Sequence, residues 1–141
     1  MYKTVTEALK NAELYSDGFD YRFVKMPPNA ITAAAGIVAQ AGNPFIALIV
    51  DKDEVTLMIE NEEYHQFKKR MLDHTVSETH YRLITFDVEL DSSLVGFMAR
   101  ISTTLANADI SLMPYAAFKR DHIFVAADHY ERAISILENL T

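Results

Sequence analysis

The stretch YRLITFDVELDSSLVGFMARISTTLANADISLMPYAAFKRDHIFVAADHYERAISILENL, from Tyr81 to Leu140, reads as one complete folding unit. Between Tyr81 and Leu90, Ile84, Phe86, Val88 and Leu90 are apolar while Thr85, Asp87 and Glu89 are polar, the two-residue period of a half-buried strand. Asp91, Ser92 and Ser93 break it, and either serine can accept a bond from the open amides of a helix start. Leu94, Phe97, Met98, Ile101, Leu105 and Ala108 then recur mostly at intervals of three or four and line one face of a helix closed by Asn107. Ile110 to Phe118 and His122 to Ala127 are short β-branched and aromatic runs joined by the charged turn Lys119, Arg120, Asp121, which predicts an antiparallel hairpin. Asp128 and Glu131 have the spacing of a capping box, and Tyr130, Ala133, Ile134, Leu137 and Leu140 form a second helical stripe.

The order is strand, helix, strand, strand, helix. Two such helices bury their stripes most simply on one face of an antiparallel sheet, a ferredoxin-like arrangement of class α+β. There the strand after the first helix lies at the sheet edge, where Pro114 is tolerated without a backbone donor. The full pattern has a fourth strand, which must be missing or borrowed from elsewhere in the chain.

Working back toward the N-terminus, Thr4 to Tyr15 predicts a short helix with Thr4 and Glu7 at capping-box spacing, stopped by Gly18. Asp20 to Met26 reads as a strand ended by Pro27 and Pro28, and Ile31 to Ala41 as an alanine-rich helix followed by Asn43 and Pro44 as punctuation. Phe45 to Val50 and Val55 to Ile59 are strands around a turn at Lys52 and Asp53, and Glu62 to Leu72 is helical. The same order thus occurs twice. Tyr21 and Arg22 match Tyr81 and Arg82, and Gly36 matches Gly96, at a constant offset of 60 (81 − 21, 96 − 36). The expected division is an N-terminal helix (1–19), a first βαββα unit (20–72), a polar linker (73–80) and a second unit (81–141).

Composition narrows the function. Twenty acidic against 13 basic residues give a charge of −7, which repels phosphate backbones and argues against nucleic acid. No apolar run approaches the ~20 residues that span a bilayer, and no basic, apolar leader opens the chain, so the expectation is a cytoplasmic protein without a membrane partner. The absence of cysteine removes disulfides, thiol catalysis and thiolate metal sites. The four glycines are scattered, so no phosphate loop forms, and no serine sits in a nucleophile elbow. His74 and His80 share a connector with Asp73 and Glu78, but no pair has a hydrolase-type metal spacing. For an enzyme the titratable groups worth checking are Asp87, Glu89 and His122.

The segment LVGFMARISTTLANADISLMPYAAFKRDHIFVAADHYERAISIL (Leu94 to Leu137) resembles an ACT domain. The small-residue turn before the first helix, Gly96 inside that helix, and the hairpin YAAFKRDHIFVAA (Tyr115 to Ala127) resemble the ACT subfamily of cellular arginine sensors and small tandem-ACT bacterial proteins. The opening ELYSDGFDYRFV (Glu13 to Val24) is also similar to those bacterial proteins. Ile31 to Ala41 departs from an ordinary ACT first helix. The resemblance implies two ferredoxin-like (ACT-like) βαββα units in tandem, in a non-enzymatic sensor that needs no cofactor. It would bind a small molecule, an amino acid above all, between units or across a homodimer. Carried onto this chain, the site residues are Asp91, Ser92, Ser93 and Gly96 in the first strand-to-helix loop, with Ile110 and Ser111 on the facing edge strand. Amides at the helix start would hold a carboxylate and Asp91 an ammonium group. On the residues alone, Asp91, Ser92 and Ser93 also fit a plain helix cap, and the chain also fits a ligand-free module that pairs through its sheet edge.

Overall fold

A computed structural model describes residues 2–42 and 45–141; the expected punctuation at Asn43 and Pro44 lies outside them. Backbone contacts divide the chain into a front unit, Phe19–Tyr81, and a back unit made of Met1–Gly18 with Arg82–Thr141. Each is an antiparallel α+β unit of βαββα order.

In the back unit α1 (Val5–Asn11) is capped by Thr4, whose side chain accepts from the Glu7 amide. The Glu7 carboxylate reaches back to the Lys3 amide at 3.3 Å rather than to Thr4, a loosened capping box. The helix is shorter than its stripe predicts. Ala12 turns extended, and β1 (Glu13–Tyr15) pairs antiparallel with β6 (Tyr81–Asp87), placing Leu14 opposite Phe86. This is the fourth strand, borrowed from the start of the chain. After β6 come α4 (Phe97–Asn107), β7 (Met113–Ala116), β8 (Asp121–Ala126) and α5 (Tyr130–Glu138), with strand order β6-β8-β7. Pro114 lies on β7, at the end of that order. Ile84, Phe86, Ile101, Leu105, Ile123, Val125 and Leu137 form the core, joined by Ala8 and Leu9 of α1.

Two expectations for this unit are corrected. The segment from Ile110 is not strand until Met113, because α4, which ends at Asn107 as expected, closes in a Schellman motif: Asp109 is left-handed at φ 60, its amide bonds Ala106 O, and Ile110 N bonds Leu105 O. The Asp128 to Glu131 capping box does not form, because a 3-10 turn (Ala127–His129) leads into α5 and no side chain caps it.

The front unit runs β2 (Asp20–Met26), a 3-10 turn (Pro28–Ala30), α2 (Ile31–Gln40), β3 (Ala47–Val50), β4 (Val55–Glu60) and α3 (Asn61–Phe67). Its strand order is β3-β4-β2, and β5 (Thr75–Val76) pairs with β2. Expected β3 and α3 were longer; Phe45 sits outside the ladder, edge-on to Tyr21, and residues 68–70 tighten into a 3-10 turn. The segment expected as a linker thus carries a strand. It is pinned by Arg22, whose guanidinium donates to Ser77 O at 2.8 Å and to Asn61 Oδ1 at 3.1 Å. Glu60 caps α3, accepting from the amides of Glu62 and Glu63.

Matching core positions run through both units. On the first strand Val24 and Met26 stand where Ile84 and Phe86 do, at an offset of 60 (84 − 24, 86 − 26). On and just after the last helix Tyr64, Phe67 and Met71 stand where Tyr130, Ala133 and Leu137 do, at 66 (130 − 64, 133 − 67, 137 − 71). One stacking contact repeats across that change of register: the Arg22 guanidinium lies 5.1 Å from the Tyr64 ring centre, and Arg82 lies 4.4 Å from that of Tyr130. The extra 6 positions (66 − 60) fall between first strand and first helix of the back unit. Gly36, inside α2, is consequently not the counterpart of Gly96, which precedes α4.

Candidate functional site

The lengthened connection is residues 88–96. It leaves β6 at Asp87, whose carboxylate takes a 2.7 Å bond from Arg120 Nε. Leu90 N then donates to Lys119 O, fastening the loop to the β7–β8 hairpin. Next the chain folds into a tight turn: Leu94 N bonds Asp91 O, and Asp91 Oδ1 accepts from both Ser93 N (2.8 Å) and Ser93 Oγ (2.6 Å). An aspartate that bonds the backbone two residues on is a turn former by its own chemistry. The Ser93 hydroxyl, followed by its amide, holds the Asp91 carboxyl below the usual carboxylate range, so it stays ionised.

Gly96 closes the loop at φ 96, a left-handed conformation that a side chain rarely adopts. It is the residue before α4, not a residue inside it, and its carbonyl accepts the first helical bond, from Arg100 N. A glycine has no side chain to cap with, and neither serine does so, against expectation. Their position explains it: the turn at 91–94 is complete before the helix begins. The first turn of α4 carries no acidic side chain.

Two clefts flank this loop, both within the back unit. The larger, about 690 Å³, lies between residues 2–6 and the loop, with Asp91, Ser93, Leu94, Val95 and Arg100 on its wall. Lys3 comes from the chain before α1, and Arg100 from one turn into α4, where helical side chains slant back toward the N-terminus and hence toward the loop. Among the described residues neither cation is ion-paired. The smaller cleft, about 310 Å³, lies between the loop and hairpin residues 116–121, and Asp91 and Ser92 line it. Its cations are already committed, Arg120 to Asp87 and Lys119 to Glu89 at 3.5 Å.

Of the expected site residues, Asp91, Ser92, Ser93 and Gly96 share this loop. Ile110 and Ser111 do not join them. They follow the C-terminal end of α4, a helix of 11 residues and so roughly 16 Å long, and Ile110 is buried in the core. Sequence reasoning missed Lys3 and Arg100, since an isolated lysine and a helical arginine carry no pattern. The titratable groups worth checking for an enzyme are spread over structural pairs: Asp87 and Glu89 as above, and His122 Nδ1 2.8 Å from Thr85 Oγ1. Burial, then the Arg120 charge, pushes the His122 pKa down, while burial pushes that of Asp121 up. Among the described residues no group of three or more His, Asp or Glu is placed to hold a metal ion, and no helix is long and apolar enough to cross a membrane.

With this geometry in view, the family model described as ACT domain matches residues 76–139. An ACT domain is found there. It spans β6 through α5 and includes the whole 88–96 loop. No curated protein matches the chain in sequence. Among solved structures, a Vibrio cholerae protein of unknown function, titled a possible transport protein, is similar at 25% identity and TM-score 0.75, over 98% of this chain and 96% of that one. The regulatory subunit of aspartate kinase from Thermus thermophilus, in ligand-free form, has TM-score 0.72 at 9% identity over 92% and 97% of the two chains. A structure of aspartokinase alpha and beta subunits has TM-score 0.71 at 16% identity over 90% and 95%. The ACT domain and these likenesses agree with the α+β, ferredoxin-type reading of the sequence.

Proposed function

We propose that this protein is a non-enzymatic regulatory sensor, a tandem of two ACT-like units that binds an amino acid at the larger cleft of the back unit. The observation that carries the reading is one cleft whose wall holds an ionised carboxylate, Asp91, together with the cations Lys3 and Arg100 beside the apolar Val5, Leu94 and Val95. A zwitterion needs groups of both signs within one cleft, and the wall here carries both. The ACT domain and the aspartate kinase regulatory subunits of like fold support a regulatory role, and the repeated Arg–Tyr stacking supports a duplicated origin. Binding orders the loop at 90–95 and is read by whatever partner the protein controls in the cytoplasm. Ser111 enters the site only across a homodimer that brings the end of one copy's α4 to the other's loop.

Calorimetric titration of the folded chain against the common amino acids tests this. Saturable binding is expected, and Asp91→Asn, which keeps an acceptor for Ser93 but drops the charge, should weaken it about tenfold. A flat response across the panel rejects the reading. A second reading, a ligand-free interaction module, draws on Val95 in the loop and Phe118 in the hairpin beside it, 86% and 98% exposed. It predicts that Phe118→Ser lowers the oligomeric state in light scattering.

A further inference from the structure

The larger cleft has more positive than negative charge, and this bears on which amino acid it takes. Resting on the sensor reading above, we infer that the ligand is an α-amino dicarboxylate, an amino acid of net negative charge. Of the described residues lining the cleft, Lys3 and Arg100 are basic and only Asp91 is acidic. An amino acid's ammonium takes Asp91 and its α-carboxylate takes one cation. The other cation remains without a partner unless the ligand brings a second carboxylate. In a chain with 20 acidic and 13 basic residues, a cleft with the opposite balance is a local departure from the molecule's own field.

Two further features point the same way. Val5, Leu94 and Val95 give an apolar strip suited to a short methylene spacer between two charged ends. A cationic side chain such as a guanidinium would need a second carboxylate, yet the wall offers only Asp91, which the ligand's own ammonium occupies. It would instead meet Lys3 or Arg100, a like-charge contact that discriminates by repulsion. An arginine ligand is therefore disfavoured on charge.

The experiment is a competition series by calorimetry on the full chain at constant ionic strength: L-aspartate and L-glutamate against L-asparagine and L-glutamine, against L-arginine and L-lysine, and against succinate and glutarate. The acidic amino acids should bind about tenfold tighter than their amides, and the basic ones should give no heat. Arg100→Gln should shrink the acid-to-amide gap to about twofold or less. Lys3→Gln, outside every helix and strand, serves as a second variant should Arg100→Gln fail to fold. Amides or arginine binding as tightly as glutamate overturn the inference while leaving the sensor reading intact. Succinate binding as tightly as aspartate overturns it too, by removing the ammonium from recognition. Failure of every amino acid in the series to bind the wild type strikes the sensor reading itself.

Discussion

The connection from first strand to first helix separates the two units more sharply than anything in their cores. In the front unit residues 27–30 pass straight from β2 into α2 through two prolines and a 3-10 turn, and no side chain caps the helix. In the back unit residues 88–96 make a self-bonded aspartate turn, close on a left-handed glycine, and border two clefts. The strands, helices and core positions on either side correspond. A shared frame with one lengthened loop sets the proposed site on residues that the front unit lacks, so the two units should respond differently to matched substitutions.

The largest effects should come from the shared frame. Phe86→Ala removes a side chain that packs edge-on against Phe97 at the base of the loop. It should cost about 3–5 kcal/mol in urea unfolding and abolish ligand binding. Its counterpart Met26→Ala should cost about 2–5 kcal/mol but leave binding unchanged wherever the protein is still folded. Equal loss of binding from both would erase the distinction between the units.

The two glycines sharpen the contrast at intermediate size. Gly96→Ala forces a side chain into a left-handed conformation and should destabilise by about 1–2 kcal/mol. Gly36→Ala sits in regular helix, where a Cβ would meet Arg70 Nη2 at 3.1 Å, the far end of a flexible side chain. That end can move, so the gain in helix propensity should prevail and stabilise by up to about 1 kcal/mol. Melting curves that shift in the same direction for both would remove the argument. Replacing Arg22 by Lys should cost about 1–2 kcal/mol, because a lysine cannot reproduce the forked bonds to Ser77 O and Asn61 Oδ1.

The smallest effect is a pH dependence of the back unit. His122 has a folded pKa below its unfolded value near 6.5. The unfolded chain therefore binds more protons, and the stability contribution is full above pH 6.5 and lost as pH falls toward the folded pKa. Asp121, raised above 3.8, acts with the opposite sign at lower pH, because there the folded state holds the proton more firmly. Urea midpoints measured between pH 7 and pH 5 should fall for the wild type and fall less for His122→Gln.

The periodic elements were legible in the sequence because burial writes them there. Ile84, Phe86 and Val88 alternate, and Phe97, Ile101 and Leu105 recur at helical spacing. Boundaries were less so where hydrogen bonds, not burial, decide them. Ile110 is apolar like a strand residue, yet its amide closes α4. Leu14 falls inside the stretch expected as helix, yet it pairs with Phe86, a partner far along the chain that no local pattern announces. The candidate loop was reached through the ACT resemblance; on the residues alone Asp91, Ser92 and Ser93 marked only a break in the alternation and a helix cap. Lys3 and Arg100 stayed hidden because only folding brings the start of the chain beside the first turn of α4.

That same borrowed edge gives the molecule an order of assembly. Glu13 to Tyr15 leave the ribosome well before Thr85 to Asp87, the residues they pair with, so everything between must be synthesised first. The earlier half can settle on its own while its N-terminal flank waits. Proteolysis or truncation that removes the opening residues should therefore injure the half made last, leaving its sheet with a bare margin open to foreign strands.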